Sequence, residues 1–158
     1  MTAGKTAHFY TILLLIMETI SFTENWNGKL LLDVFGTIRE HCPVKYEVGK
    51  QFGISLKGKV LGIVEVVAIR HFKHNQIRDA GAFLDIGRNA HYLATFLNKM
   101  YGNKGTISPD HQFDHIILKW MHRDMAIQQT VLKSWWEEKQ QLTMDSFWAI
   151  QNANNSIS

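Results

Sequence analysis

The feature that most constrains the fold is a long apolar stretch in the middle of the chain, 60–72. Alternate side chains along it form two sets, and both sets are largely apolar. The stretch therefore predicts a long β-strand that is covered on both faces along much of its length. Lys57-Gly58-Lys59 before it is typical of a tight hairpin, because glycine adopts positive φ easily. Gly62 is typical of a bend at a barrel corner.

Other strands and helices are indicated on both sides of this strand. Strand patterns occur at 8–16, 36–39, 52–56 and 113–121. Helical patterns occur at 26–31, 75–83, 90–101 and after Asp124, with Asn89 as the N-cap of the third. This order favours an α+β fold with a mixed or antiparallel sheet. We expect a domain at 1–123, a helical extension at 124–150 and a disordered tail at 151–158.

The N-terminal apolar run and the single cysteine bear on the compartment. The run 9–17 has the outline of a signal peptide, but no small-residue cleavage site follows it. It is also shorter than the roughly 20 residues that span a bilayer. Cys42 is the only cysteine of the 158 residues and cannot form an internal disulfide. We therefore expect a cytoplasmic protein with no membrane partner.

Positive charge is concentrated in the middle of the chain. The net charge is only +3, yet the segment 39–78 carries eight Lys or Arg against three acids. A basic section of this kind is typical of proteins with a phosphate-bearing partner. A solvated surface with ordinary lysines is the alternative interpretation.

Three motifs follow one another in a defined order. Gly36-Thr37-Ile38-Arg39 contains a Thr-x-Arg element, and Tyr46-Glu47-Val48-Gly49-Lys50 forms a turn into a strand. The block 87–102, followed by the strand at 113–120, is the third. In this order and spacing the motifs resemble the ASCH family over about residues 8–123.

The resemblance implies a small PUA-like β-barrel with flanking helices, a cleft at the barrel mouth and an association with RNA. One branch of the family resembles a minimal amidohydrolase that removes an acyl group from a modified cytidine. That branch uses a Lys-x-x-Thr-x-Arg element and a glutamate in the later helix. Thr37 and Arg39 match it, but Val34 stands at the lysine position and Tyr92 at the glutamate position. Two expected catalytic groups are therefore missing.

The chemistry of the residues supports a candidate site independently. Arg39 presents a planar fork of donors suited to phosphate oxygens or a base edge, and Thr37 lies on the same strand face. Glu65, on an apolar strand face, is a candidate general base, and Lys29 is a candidate replacement for the missing lysine. Structural ion pairing is the alternative for both Arg39 and Glu65.

Four further residues fit an RNA-binding rim. Lys45, Lys50 and Arg70 would contact phosphates, and Tyr46 offers a ring for base stacking, although it is equally suited to packing.

Metal binding and cysteine chemistry are not expected. Asp110, His111, Asp114 and His115 cluster in the sequence, but on a strand His111 and His115 lie far apart. Cys42 and His41 are adjacent in a loop, which rarely gives a nucleophile pair its geometry. We predict no metal site and no cofactor.

The leading hypothesis is an RNA- or nucleotide-binding module with a basic cleft formed around Thr37 and Arg39. One alternative is a small amidohydrolase acting on an N-acylated cytidine. Another is a protein-interaction domain or homodimer that uses Trp135, Trp136 and Trp148, since aromatic clusters are favoured at interfaces.

Overall fold

The computed structural model describes residues 17–102 and 105–124, together with residues 129, 133, 136, 137, 140, 141, 144 and 145. The chain divides into two units, Met1–Arg123 and Asp124–Ser158. In the second unit the described residues after Asp124 are helical, and Lys133 Nζ lies 4.0 Å from a carboxylate oxygen of Glu137. The predicted strand at 8–16 and the predicted tail at 151–158 lie outside the described residues.

The first unit is built on a five-stranded mixed sheet. Its strands are β1 (Thr19–Phe22), β2 (Val34–Glu40), β3 (Gln51–Leu56), β4 (Lys59–Lys73) and β5 (Gln112–Arg123). They are arranged in the order β1-β3-β4-β5-β2. β1 is parallel to β3, and every other neighbouring pair is antiparallel. The sheet curls into a half-barrel, which agrees with the predicted α+β class.

The β3–β4 hairpin and the long central strand are where the sequence predicted them. The two-residue turn has positive φ at both positions, 49° at Lys57 and 78° at Gly58, as a type I′ turn requires. The first half of β4 is buried on both faces from Leu61 to Val64, whereas Val67 and most residues after it are exposed. The predicted two-sided cover therefore holds for the first half of the strand.

Gly62 is where β4 bends. Its φ is 148°, a conformation that L side chains rarely adopt, and a Cβ there would collide with the carbonyl oxygen of His122 on β5. The β4–β5 register shifts directly after it, between Ile63 and Val64. The glycine thus allows the close strand contact that curls the sheet.

The helices cover one face of the sheet. A 3-10 helix (Trp26–Leu31) follows β1, and β4 leads through a 3-10 turn (His74–Gln76) into α1 (Asp79–Ile86) and α2 (Ala90–Tyr101). The single helix predicted at 75–83 is therefore a 3-10 turn followed by α1, which begins later, at Asp79. Gly87, with φ of 68°, ends α1, and Asn89 caps α2 by accepting the Tyr92 N–H at 2.9 Å. No helix among the described residues is long and apolar enough to cross a bilayer.

The helices and the sheet share a buried core. It contains Ala82 and Ile86 of α1, Leu93 and Leu97 of α2, and residues of the sheet and the α2–β5 loop, namely Ile38, Ile107 and Phe113. This packing fixes α1 against β2, which places the polar residues of α1 beside the edge of the sheet.

The predicted closed barrel is not formed by the described residues. β1 and β2 are the two edges of the sheet, and they are not paired with each other. β1 has only four residues, and the Ile38 N–H on the open edge of β2 donates to the Asp85 carboxylate, not to a strand. At this position a side-chain carboxylate accepts the backbone donor that a neighbouring strand would accept, and the described strands form a half-barrel.

We predict that Gly62→Ala lowers the free energy of unfolding by about 2–4 kcal/mol, because it adds backbone strain and a clash with β5. Urea denaturation followed by circular dichroism measures this change. Gly81→Ala is the matched control: Gly81 lies in α1 with open space around its Cα. That variant should be neutral or more stable by up to about 1 kcal/mol. Equal effects of the two substitutions would contradict the role given to Gly62.

Candidate functional site

A buried ion pair lies between the helices and the edge of the sheet. Lys29 of the 3-10 helix and Asp85 of α1 are only 2 % and 4 % exposed, and Lys29 Nζ donates to Asp85 Oδ1. The second carboxylate oxygen, Oδ2, accepts the Ile38 N–H of β2 at 3.2 Å. One carboxylate therefore joins the 3-10 helix, α1 and the open edge of β2.

The segment before Lys29 is held so that the lysine points inward. The buried Asn25 side chain accepts the Leu30 N–H at 2.9 Å, which closes the turn around Lys29. Trp26 packs edge-on against Phe96 of α2, with ring centroids 5.8 Å apart. These contacts anchor both ends of the turn and direct the ammonium toward Asp85.

The environment of Lys29 disfavours its charged form. Burial lowers the pKa of the Lys29 ammonium below its usual value, and the nearby positive charge of Arg39 acts in the same direction. The Asp85 carboxylate opposes both effects by stabilising the ammonium. The net shift is downward, so a neutral amine is available at a lower pH than on a free lysine.

Arg39 spans the gap between the two edge strands. Its Nη2 donates to the Ser21 carbonyl of β1 at 3.0 Å, and the guanidinium lies 4.7 Å from the centroid of the Phe22 ring. Its Nε is buried and has no hydrogen-bond partner among the described residues. The arginine thus links β1 to β2 through its side chain while part of its donor fork remains unused.

These residues line one cavity of about 100 Å³. Its polar wall contains Lys29, Thr37, Arg39 and Asp85, and its apolar wall includes Phe22 and Leu93. The lining also includes the exposed Glu24, so the cavity has two cations, two carboxylates and no net formal charge. It is suited to a small group that presents both acceptors and donors.

A wider hollow of about 570 Å³ adjoins the cavity. The two share Trp26 and Phe96, and the hollow adds Tyr92 and Lys99 of α2. Tyr92 is exposed, and the Arg88 guanidinium lies 5.7 Å from the centroid of its ring. The mouth of the cavity therefore opens onto a surface that combines aromatic rings with basic groups.

Three of the predicted site residues meet in the cavity and Glu65 does not. Lys29, Thr37 and Arg39 line it together, with Thr37 fully buried. Glu65 is half-buried on β4, in register with Gln51 on one side and Lys119 on the other, and it is not part of the cavity wall.

The predicted RNA rim is divided between two places. Lys45 and Lys50 both lie near Glu18, with Nζ–O distances of 3.5 and 3.1 Å, so their charge is partly compensated. Tyr46 is buried against Phe52, and this burial raises the pKa of its phenol. The buried ring is not available for stacking.

Arg70 lies apart from these residues and from Arg39. It is exposed and lines a separate cavity of about 80 Å³ with His115 of β5.

The four candidate metal ligands contact different partners. Asp110 binds Lys73 at 2.8 Å, and His111 lies 2.9 Å from a Glu40 oxygen. The His115 ring fills the space that a Cβ on Gly36 would occupy, and burial lowers its pKa. Asp114 faces two other histidines, His41 and His71. The His41 ring thus contacts a carboxylate.

Sequence reasoning missed Asp85 as a site residue. It lies between Leu84 and Ile86 in a helix that is apolar after Asp79 in its first turn, and an acid in such a position is a signal of a buried carboxylate that needs a cation. Of the predicted interface tryptophans, Trp136 is exposed, whereas Trp135 and Trp148 lie outside the described residues. The homodimer stays a prediction.

We predict that the buried ion pair is strongly coupled. Lys29→Met and Asp85→Asn should each lower the free energy of unfolding by about 3–5 kcal/mol, because each leaves a buried group without its partner. The double variant should lose clearly less than the sum, as measured by urea denaturation. Lys50→Met, at a half-exposed pair, should cost less than about 1 kcal/mol. Strictly additive losses would show that the pair is not coupled.

Comparison with known proteins gives a likeness of fold. No family model matches the chain, and no curated protein matches it in sequence. The crystal structure of protein EF3133 from Enterococcus faecalis V583, titled with the family model DUF984, superposes with a TM-score of 0.52 at 12 % identity. The match covers 77 % of this chain and 90 % of that one. At this identity the likeness concerns the arrangement of strands and helices alone.

Proposed function

We propose that the protein binds a nucleotide with a modified base, free or at the end of an RNA strand, in the cavity beside Arg39. The observation that carries the proposal is the convergence of Lys29, Thr37, Arg39 and Asp85 on one cavity. We also propose that the resemblance to the ASCH family is genuine. The half-barrel is then of the PUA-like type, and the Thr-x-Arg element of β2 faces the ligand.

The inner cavity suits the edge of a base. Lys29, Arg39 and the Thr37 hydroxyl offer donors, while Asp85 and the same hydroxyl offer acceptors. A base edge presents both kinds of group, and a purely apolar ligand would leave the buried Arg39 Nε without an acceptor. At about 100 Å³ the cavity holds only part of a ligand, since whole small-molecule sites are typically about 300–1,000 Å³.

The adjoining hollow suits the rest of a nucleotide. Tyr92 and Trp26 offer ring faces for stacking, which is how single-stranded bases are commonly held. Lys99 and Arg88, near Tyr92, provide positive charge for a phosphate. The two compartments together match a ligand with a polar planar head and an anionic tail.

We predict that the protein binds cytidine monophosphate, its N-acylated form or a short single-stranded RNA ending in such a nucleotide. Isothermal titration at low salt measures the affinity. Arg39→Ala should weaken binding by about 10–100-fold, because charge-assisted hydrogen bonds contribute about 1.5–3 kcal/mol. Tyr92→Ala should weaken it by about tenfold through lost stacking.

Arg70→Ala is the matched control, since it removes an exposed arginine outside the cavity. It should leave the affinity unchanged. RNA binding that depends on Arg70 and not on Arg39 or Tyr92 would place the interface elsewhere. The absence of binding by all three ligands at low salt would overturn the proposal. Circular dichroism should show that Arg39→Ala, which also loses the Ser21 contact, remains folded.

A second candidate is an amidohydrolase acting on an N-acylated cytidine, and the lowered pKa of Lys29 favours it. The family's lysine and glutamate are missing at Val34 and Tyr92, but Lys29 and Asp85 bring an amine and a carboxylate to the same cavity. The neutral Lys29 amine would take a proton from water as the hydroxide adds to the acyl carbonyl. The donors of Arg39 would stabilise the oxyanion. Return of the proton to the leaving nitrogen then releases cytidine and the carboxylic acid.

We predict that turnover, measured by chromatography of released cytidine, falls by at least about 100-fold in Lys29→Met. The rate should rise with pH through the Lys29 pKa, below the usual lysine value of 10.5, because only the neutral amine accepts a proton. Glu65→Gln is the control and should keep full activity, since Glu65 lies outside the cavity wall. Activity that survives Lys29→Met but not Glu65→Gln would reverse the assignment.

A further inference from the structure

A second polar cluster lies at the junction of β2, β4 and β5. Asp114 of β5 is in register with His71 of β4, and His41 directly follows β2. The Nδ1 atoms of both histidines approach the same carboxylate oxygen, Asp114 Oδ1, at 2.8 Å from His41 and 2.6 Å from His71. The three ligand atoms all lie within 4.8 Å of one another.

We propose that His41, His71 and Asp114 form a binding site for a divalent transition-metal ion, with Zn²⁺ as the reference ion. Two imidazole nitrogens and one carboxylate oxygen are a ligand set that Zn²⁺ and Fe²⁺ use in open sites, where remaining positions are left for water or a substrate. Mg²⁺ and Ca²⁺ prefer oxygen ligands only. The proposal departs from the sequence prediction of no metal site.

The distances between the three ligand atoms set how far they must move to hold an ion. Ligands at about 2.0–2.1 Å around a tetrahedral ion stand about 3.3 Å apart. The two nitrogen–oxygen distances therefore lengthen by only about 0.5–0.7 Å when an ion displaces the protons between them. The two histidine nitrogens, within 4.8 Å of each other, would have to approach by up to about 1.5 Å, and this movement falls to the His41 and His71 rings.

Asp114 is held in place by its surroundings, as the carboxylate ligands of metal ions commonly are. The carboxylate is 1 % exposed, and its other oxygen, Oδ2, accepts the Cys42 N–H at 3.4 Å. This contact orients the group and leaves Oδ1 directed at the histidines, as hydrogen bonds to metal-binding carboxylates commonly do. Asp114 and His71 lie on paired strands, so two of the three ligands are held rigidly.

The cluster is also open to solvent on one side. The His71 side chain is 63 % exposed and that of His41 is 25 % exposed, so an ion can reach the buried carboxylate past the rings. None of the three residues lines the cavity beside Arg39. The proposed metal site is therefore independent of the proposed nucleotide site and is tested separately.

The test uses the full chain after treatment with a chelator. Isothermal titration with ZnCl₂ should give one saturable site, and Co²⁺ should produce visible absorption bands that Zn²⁺ removes. His71→Ala, which changes an exposed side chain, and His41→Ala should each weaken Zn²⁺ binding by at least about tenfold and abolish the Co²⁺ bands. His91→Ala, a change of an exposed histidine on α2, is the matched control and should bind like the original protein.

A thermal melt provides a second readout, because an ion that binds only the folded chain raises the Tm. Zn²⁺ should raise the Tm of the original protein and of His91→Ala, while Mg²⁺ should leave it unchanged. The proposal is overturned if no saturable Zn²⁺ binding is found. It is equally overturned if Zn²⁺ binds as tightly to His41→Ala and His71→Ala as to the control, in which case the cluster is a hydrogen-bonded network only.

Discussion

The ion pair between Lys29 and Asp85 is the interaction on which the first unit depends. The carboxylate neutralises a buried ammonium and, through its second oxygen, occupies the backbone donor on the open edge of β2. Removal of the lysine would leave a charge in an apolar setting, and removal of the acid would leave two donors unsatisfied. The same pair forms the polar wall of the inner cavity, so the fold and the candidate site share their central contact.

Much of the fold follows from local sequence signals. The alternation at 60–72, the Lys57-Gly58 turn and the Asn89 cap each depend on a few neighbouring residues, and β3, β4 and α2 occur where these signals predict them. The four-residue strand β1 was missed, because Thr19-Ile20-Ser21-Phe22 is too short for its alternation to stand out. Its pairing with β3 is parallel and non-local, which local patterns do not reveal.

The site was only partly predictable for the same reason. Thr37 and Arg39 could be placed on one strand face from their spacing, but the approach of Asp85 to Lys29 joins positions 56 residues apart. The cluster around Asp114 depends on a β4–β5 register that shifts twice, so its partners cannot be counted off from the sequence. The described strands do not close into the predicted barrel, and the Asp85 side chain occupies one backbone donor on the edge of β2.

The contact between Arg39 and the Ser21 carbonyl leaves the separation of β1 and β2 adjustable. A ladder of backbone hydrogen bonds would fix the separation of β1 and β2, whereas one flexible side chain permits a range of separations. An anion that attracts the guanidinium competes directly with that carbonyl. If the proposed ligand binds through Arg39, its affinity and the separation of β1 and β2 are linked. Whatever loosens one edge strand then changes the affinity, and the ligand changes the position of that strand by the same free energy.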